Sequence, residues 1–379
     1  MVKDIPYRPK GHPPVWNVYQ RRNIHFVGRQ QHLQDLQAAF SSREHLPQVL
    51  AGGGGCGKTA LAVEYAYANQ EHYDIIWWIR AETQATITAD LAALAQPLAR
   101  AGQQFESSRQ ACNAAIEALQ RRDRWLLIFD NARQASDLAP FLPRKAGGDI
   151  LITSINSNWQ NGAEIQPVNA WKREESIEFL RQRLGGLDEV HAADQLSAAL
   201  GDLPLAMDQA AACITQADIG VGQYLKDYEN LWAEMLTHAR PMGSYPAQAA
   251  MTWELSFRRI ESINPVAAQF LTLCGFFAPD EIPLAMIESA SAELPSELAF
   301  FLMDTAARVD ALNLLERFAL ARVGEGVISL HGVIAAMVQD RLDAEDRARW
   351  RCGSRRIRFR STARIPTRGR RARACCRTR

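Results

Sequence analysis

Apolar positions along this chain follow three successive patterns. From Phe26 to about Ser157, short apolar runs alternate with stretches of helical spacing. The runs 48–51, Ile75–Ile79, Trp125–Phe129 and Asp149–Thr153 have the length and continuity of strands buried on both faces. Between them, Thr86–Ala101 and Ser108–Arg121 place apolar residues on one side of a helix. Strands alternating with helices predict a parallel sheet with flanking helices. From about Glu174 to Met235 only helical spacing remains, broken at Gly201-Asp202-Leu203-Pro204. A third segment runs from near Met251 to near Trp350. It predicts several helices and then two strands, Phe318–Val323 and Val327–Leu330, joined by Gly-Glu-Gly. Helices closed by a terminal hairpin suggest a winged-helix domain. Residues 1–24 are rich in Pro, Arg and polar groups and read as extended. No repeat of solenoid length occurs.

At 379 residues, 47% hydrophobic and 22% charged, the chain has the make-up of an ordinary globular protein with two or three domains. No apolar run approaches a membrane span, and no charged-then-apolar leader opens the chain. The seven cysteines show neither metal-ligand spacing nor a disulfide framework. These readings set the expectation of a cytoplasmic protein without a membrane partner.

The chemistry is concentrated in Gly52-Gly53-Gly54-Gly55-Cys56-Gly57-Lys58-Thr59, a complete G-x-x-x-x-G-K-[ST] loop. It stands between the strand run 48–51 and a helical stretch beginning at Thr59-Ala60. Glycines allow positive φ and close approach of backbone to phosphate. Loop N–H groups and the helix start then supply an anion site. Lys58 would place its charge on the β- and γ-phosphates, and Thr59 would ligate Mg²⁺. Cys56 reads as a small filler. The run Trp125–Phe129 ends in Asp130, as a strand that holds Mg²⁺ through water requires. Asn131 follows where a second acid would activate the attacking water. Lys58 and Asp130 are therefore the catalytic candidates, and the expected activity is at most a slow ATPase.

Several segments in fixed order carry a resemblance. They are Phe26-Val27-Gly28-Arg29, the loop, Trp77-Trp78-Ile79-Arg80-Ala81-Glu82, Leu127-Ile128-Phe129-Asp130-Asn131-Ala132, Leu151-Ile152-Thr153-Ser154, Gly201-Asp202-Leu203-Pro204-Leu205-Ala206 and Ser329-Leu330-His331. Over residues 13–350 the chain resembles NB-ARC proteins, signal-transduction ATPases with numerous domains. It looks most like bacterial members that continue into tetratricopeptide repeats. The resemblance implies an α/β P-loop NTPase domain at 25–165, an all-helical subdomain at 166–245 and a winged-helix domain at 246–350. It implies ATP or ADP with Mg²⁺ as ligands. Val27, Gly28 and Arg29 would contact the adenine, Gly52, Gly54, Gly55, Cys56, Gly57, Lys58, Thr59 and Ala60 the phosphates, and Pro204 the base. His331 would touch the β-phosphate of ADP. Nucleotide exchange would control domain rearrangement and self-association. Two positions depart from the pattern: Ile155 follows Ser154 where relatives tend to carry Arg, and Gly332 stands where many carry Asp or Arg.

Residues 353–379 contain 11 arginines and no acid, which leaves a net charge of −10 on the rest of the chain. A basic arm of this kind would bind nucleic acid non-specifically. The tail 351–379 also reads as the product of a shifted frame. Leu-Leu-Pro-His codons such as CTG-CTG-CCG-CAC, read one base late, give Cys375-Cys376-Arg377-Thr378. A shift near Trp350–Gly353 would have removed the repeats through which a protein partner binds. Two other functions stay open at this point. One is a winged-helix DNA-binding regulator, although Glu293, Glu297 and Asp304 are a poor charge for reading a groove. The other is a nucleotide-binding scaffold that does not hydrolyse. The upstream signal, the effector output and the assembly size are not written in the sequence.

Overall fold

The computed structural model describes residues 12–42, 46–99, 103–143, 147–159, 162–237, 246–277, 282–288, 296–324 and 326–342. The chain divides into two compact units, Met1–Met207 and Asp208–Arg379. The arginine tail and Glu293 lie outside the described residues.

The first unit begins with β1 (Val15–Trp16), α1 (Gln30–Phe40), β2 (Gln48–Ala51) and α2 (Lys58–Ala68). It continues through β3 (Ile75–Arg80), α3 (Gln84–Leu98), α4 (Ser108–Leu119), β4 (Trp125–Ala132) and α5 (Ala135–Leu138). After β5 (Asp149–Ser154) and β6 (Glu164–Pro167) come α6 (Arg173–Arg183), α7 (Val190–Ala199) and the first turn of α8 (Pro204–Ala217), a helix that continues past the boundary at Met207. The six strands form one sheet in the order β1-β3-β4-β5-β2-β6, and every pairing is parallel. Register is fixed by the period of two. Ile75, Trp77 and Ile79, Trp125, Leu127 and Phe129, and Ile150 and Ile152 share one buried core with Ile87 and Leu91 of α3 and Ala111 and Ala115 of α4. The intervening residues Ile76, Trp78, Leu126, Ile128 and Leu151 are equally buried on the other face. Both faces are covered, which is why these strands read as unbroken apolar runs.

The four strand runs appear where the sequence predicts them, with β4 three residues longer. The edge strands were not announced. β1 pairs with β3 inside the segment expected only to be extended, and there the Asn17 amide takes over the ladder. Its Nδ2 donates to Trp78 O at 3.0 Å, and its Oδ1 accepts from Trp78 N at 2.5 Å. β6 is mostly polar and ends in Pro167, a composition that an edge tolerates and a central strand does not.

The second unit contains α9 (Val221–Thr237), α10 (Ala247–Ile263), α11 (Pro265–Cys274), β7 (Ile282–Pro283) and α12 (Leu284–Glu288). It ends with α13 (Ser296–Met303), α14 (Thr305–Arg317), β8 (Arg322–Val323), β9 (Val327–Ser329) and α15 (Gly332–Arg341). β7, β9 and β8 form a small antiparallel sheet in that order. The strand expected over Phe318–Val323 is shorter than its apolar pattern. Phe318–Ala321 instead close α14: Ala319 takes φ 54° while Ala319 N donates to Glu316 O and Leu320 N to Leu315 O, both at 3.0 Å. The buried side chains of Phe318 and Leu320 anchor that turn, so their apolarity serves a helix end.

Leu127 is fully buried at the centre of β4. Leu127→Ala is expected to destabilise the first unit by about 3 kcal/mol. A lower urea midpoint for tryptophan fluorescence, with an unchanged midpoint for a probe in the second unit, checks this.

Candidate functional site

The strand order reverses around β2. The chain leaves β2 through the glycine loop and α2, then crosses to β3 on the far side of β4 and β5. Loops at the carboxyl ends of β2, β4 and β5 therefore converge on one crevice, the place where open α/β sheets bind ligands.

The loop 52–57 is shaped by close packing and by two left-handed residues. Gly55 and Gly57 have φ of 79° and 91°. A Cβ on Gly52 would run into the carbonyl oxygen of Val168, whereas Gly53 faces open space. Gly57 is the N-cap of α2 and provides no side-chain cap, so the first turn of this helix offers its N–H groups to an anion. Lys58 is largely buried, and its ammonium donates to the carbonyls of Gly52 at 2.9 Å and Gly53 at 2.7 Å. The charge thus sits inside the curve of the loop. Ala60 is the third residue of α2. Cys56 is buried, with Sγ donating to Gly53 O at 2.9 Å, and it fills the loop's underside as expected.

Asp130, near the end of β4, joins three elements. Its Oδ1 accepts from Thr59 Oγ1 of α2 at 2.9 Å and from Thr153 Oγ1 of β5 at 2.5 Å. Burial pushes its carboxyl above the usual carboxylate range. The two threonine hydroxyls and the Lys58 charge oppose that shift, and the nearby Glu82 carboxylate adds to it. Thr59 and Asp130 are side by side, as a divalent cation bound through phosphate, hydroxyl and water requires. Among the described residues no cluster of three or more His, Cys, Asp or Glu could hold a metal, so phosphate and water would have to complete the coordination. These residues fit a nucleotide phosphate with Mg²⁺.

The neighbouring segment 27–29 is tied to the same loop. Gly28 and Arg29 both have left-handed φ, 68° and 65°. Glu175 of α6 accepts from Arg29 N at 3.2 Å and from Lys172 N at 2.8 Å, and a Cβ on Gly28 would collide with its carboxylate. The Arg29 guanidinium is buried and donates to Cys56 O at 3.1 Å and Asn169 O at 2.5 Å. Burial lowers its pKa, against the pull of Glu175. Val27 is buried beside it in sequence. On the other side, α8 begins over the loop: Leu205 N donates to Gly55 O at 3.1 Å, and Pro204 Cβ would lie 3.9 Å from a Cβ on Gly57.

The fold thus brings Arg29, the loop, Lys58, Thr59, Asp130 and Pro204 together within the first unit. His331 lies in the second unit, where it is the exposed N-cap of α15 and its Nδ1 accepts from Val333 N at 3.2 Å. Ile155, just past β5, is 67% exposed. Sequence reasoning missed Thr153, Glu175, Asn169 and Leu205 as site-shaping residues. Thr153 and Leu205 stood inside quoted motifs, while Glu175 and Asn169 carried no signal.

Residues 29–185 match the family model of the NB-ARC domain. This stretch of the chain is an NB-ARC domain, the nucleotide-binding domain of STAND P-loop ATPases. It is 27% identical over 311 residues to a nucleotide-binding leucine-rich repeat (NLR)-like protein of Hyaloscypha variabilis, covering 71% of this chain and 31% of that protein. It is 28% identical over 205 residues to the regulatory protein AfsR of Streptomyces griseus, covering 49% and 20% of the two chains. The chain spans a third or less of the length of these relatives. A STAND protein with a tetratricopeptide repeat sensor from Pyrococcus horikoshii shares the fold at a TM-score of 0.57 and 14% identity, over 93% of this chain and 48% of that one. No helix among the described residues is long and apolar enough to cross a membrane.

The raised pKa of Asp130 has a stability consequence. A carboxyl whose folded pKa exceeds its unfolded value favours the fold while protonated and loses that contribution as pH rises through the folded pKa. Asp130→Asn is therefore expected to stabilise the nucleotide-free protein at neutral pH, and its advantage should shrink as pH falls through the raised pKa of Asp130 toward the ordinary carboxylate range. Differential melting of the two proteins across that range checks the sign.

Proposed function

We propose that this chain is an ATP/ADP-binding switch in which nucleotide exchange controls domain rearrangement and self-association, with slow ATP hydrolysis as reset. The NB-ARC domain at residues 29–185 supports a signalling-type role at the family level. The observation that carries the finer reading is the way the phosphate loop is held. One of its carbonyls is taken by Arg29 and another by the first turn of α8, while Thr59 at the start of α2 is tied to Asp130. A ligand that repositions the loop must act on all three elements, and differential affinity for two arrangements is what a switch requires. Mg²⁺ bound with the nucleotide would neutralise phosphate charge. Lys58 would hold the β- and γ-phosphates, Thr59 and Asp130 the cation, Val27–Arg29 and Pro204 the base. In the same reading the second unit is a winged-helix domain that lends His331 to the ADP phosphates, and the partner-binding repeats belong to a longer protein.

The test is direct. The purified protein should release stoichiometric ADP on heating, and Lys58→Ala should lower nucleotide affinity at least a hundredfold, as loss of a charge-assisted contact in a confined site does. Equal affinity in the variant refutes the assignment. Binding without any cleavage would leave the scaffold reading. His331→Ala is expected to speed ADP release roughly tenfold, the worth of one hydrogen bond to a charged group, measured with a fluorescent ADP analogue.

A further inference from the structure

The strand acid of this site is followed by an amide, yet a second carboxylate stands beside it. β4 loses its register with β5 between Phe129 and Ala132, so Asp130 and Asn131 form a bulge at the sheet's carboxyl edge. Bulges at such edges re-aim side chains. Asn131 takes φ 61°, a conformation that asparagine tolerates, and its N–H donates to Thr153 Oγ1 at 2.9 Å. Its side chain is turned toward β3, where Nδ2 donates to Glu82 Oε1 at 2.8 Å. Among the described residues this amide is the hydrogen-bond partner of the Glu82 side chain.

Glu82 itself is built onto a rigid support. Arg80 lies opposite Asp130 in the ladder, and Ala81 N donates to Asp130 O at 2.7 Å. The Arg80 guanidinium grips Asp90 of α3 through two bonds, at 3.0 and 2.6 Å. Thr83, the next residue, opens α3 with a reciprocal cap against Thr86. Backbone on both sides of Glu82 is thereby fixed, while its side chain is only half-buried and reaches water. Its charge is felt at Asp130, whose proton affinity it raises. Asp130 is engaged by two hydroxyls on one oxygen.

We propose that Glu82, held in place by Asn131, is the carboxylate that takes the proton of the attacking water when this chain cleaves ATP. The proposal rests on the nucleotide reading above. The water oxygen forms a bond to the γ-phosphorus, and the bond from that phosphorus to the β–γ bridging oxygen breaks. The bridging electron pair leaves with ADP. Glu82 accepts one water proton and passes it to the departing inorganic phosphate, so ATP and water yield ADP and phosphate with the carboxylate restored. Asn131 is a positioning residue that keeps Glu82 beside Asp130, and the acid missing after Asp130 is supplied from the loop that follows the neighbouring strand β3.

Single-turnover cleavage of Mg-ATP by the whole protein, read with nucleotide affinity, decides the matter. Loss of a positioned base slows such reactions roughly 10²–10⁴-fold. Glu82→Gln is expected to bind ATP as the parent does and to cleave it at least ten times more slowly. Cleavage within tenfold of the parent overturns the proposal. So does a parent that binds ATP and never cleaves it, an outcome that leaves nucleotide binding standing. A parent that fails to bind nucleotide defeats the underlying reading instead. Should Glu82→Gln not fold, Asn131→Ala decides: slower cleavage at unchanged ATP affinity supports the assignment, and an unchanged rate rejects it.

Discussion

The organisation of the first unit depends on a single carboxylate oxygen. Oδ1 of Asp130 receives the hydroxyls of Thr59 and Thr153, and through them ties the start of α2 and the end of β5 to β4. An acid in this position is costly to bury, and the raised pKa records that cost. The site is consequently poised rather than relaxed. A cation placed there would relieve the carboxylate, and the relief would be felt at the helix that carries Lys58.

Around that oxygen the phosphate loop is held mostly by backbone groups. Arg29 reaches one loop carbonyl and the first turn of α8 reaches another. The Glu175 carboxylate accepts from Arg29 N and lies so close to Gly28 that no Cβ fits there, and both Gly28 and Arg29 take left-handed φ. Charge and conformation are thus coupled: a buried guanidinium and a buried ammonium both lie against loop carbonyls, and neither can shift without leaving a polar group unsatisfied.

Much of this was legible in the residues. Central strands announce themselves because burial on both faces demands continuous apolar runs, and the loop is legible because close backbone approach to phosphate demands glycine. Edge strands β1 and β6 were silent, since half their groups face water and polar residues suffice there. Phe318 and Leu320 misled because a helix-closing turn and a strand can need the same apolar side chains. Glu175 was invisible for another reason: its partners Gly28 and Arg29 lie about 150 residues earlier, and nothing in local pattern encodes such a meeting. Asn131 gave a true signal, the absence of an acid after Asp130, but not the presence of Glu82 across the ladder.

The register of β2 carries a consequence for the order of assembly. Both strands that flank it come late in the chain, with Gln48 opposite Leu151 on one side and Glu164 on the other. During synthesis, β2 therefore emerges about a hundred residues before anything can pair with it, while β3 and β4 are separated by a compact helical hairpin and can meet early. Closing so long a loop is slow relative to local pairing. The strand that bears the phosphate loop is thus inserted between two later arrivals, and the ligand crevice is among the last features of the sheet to exist.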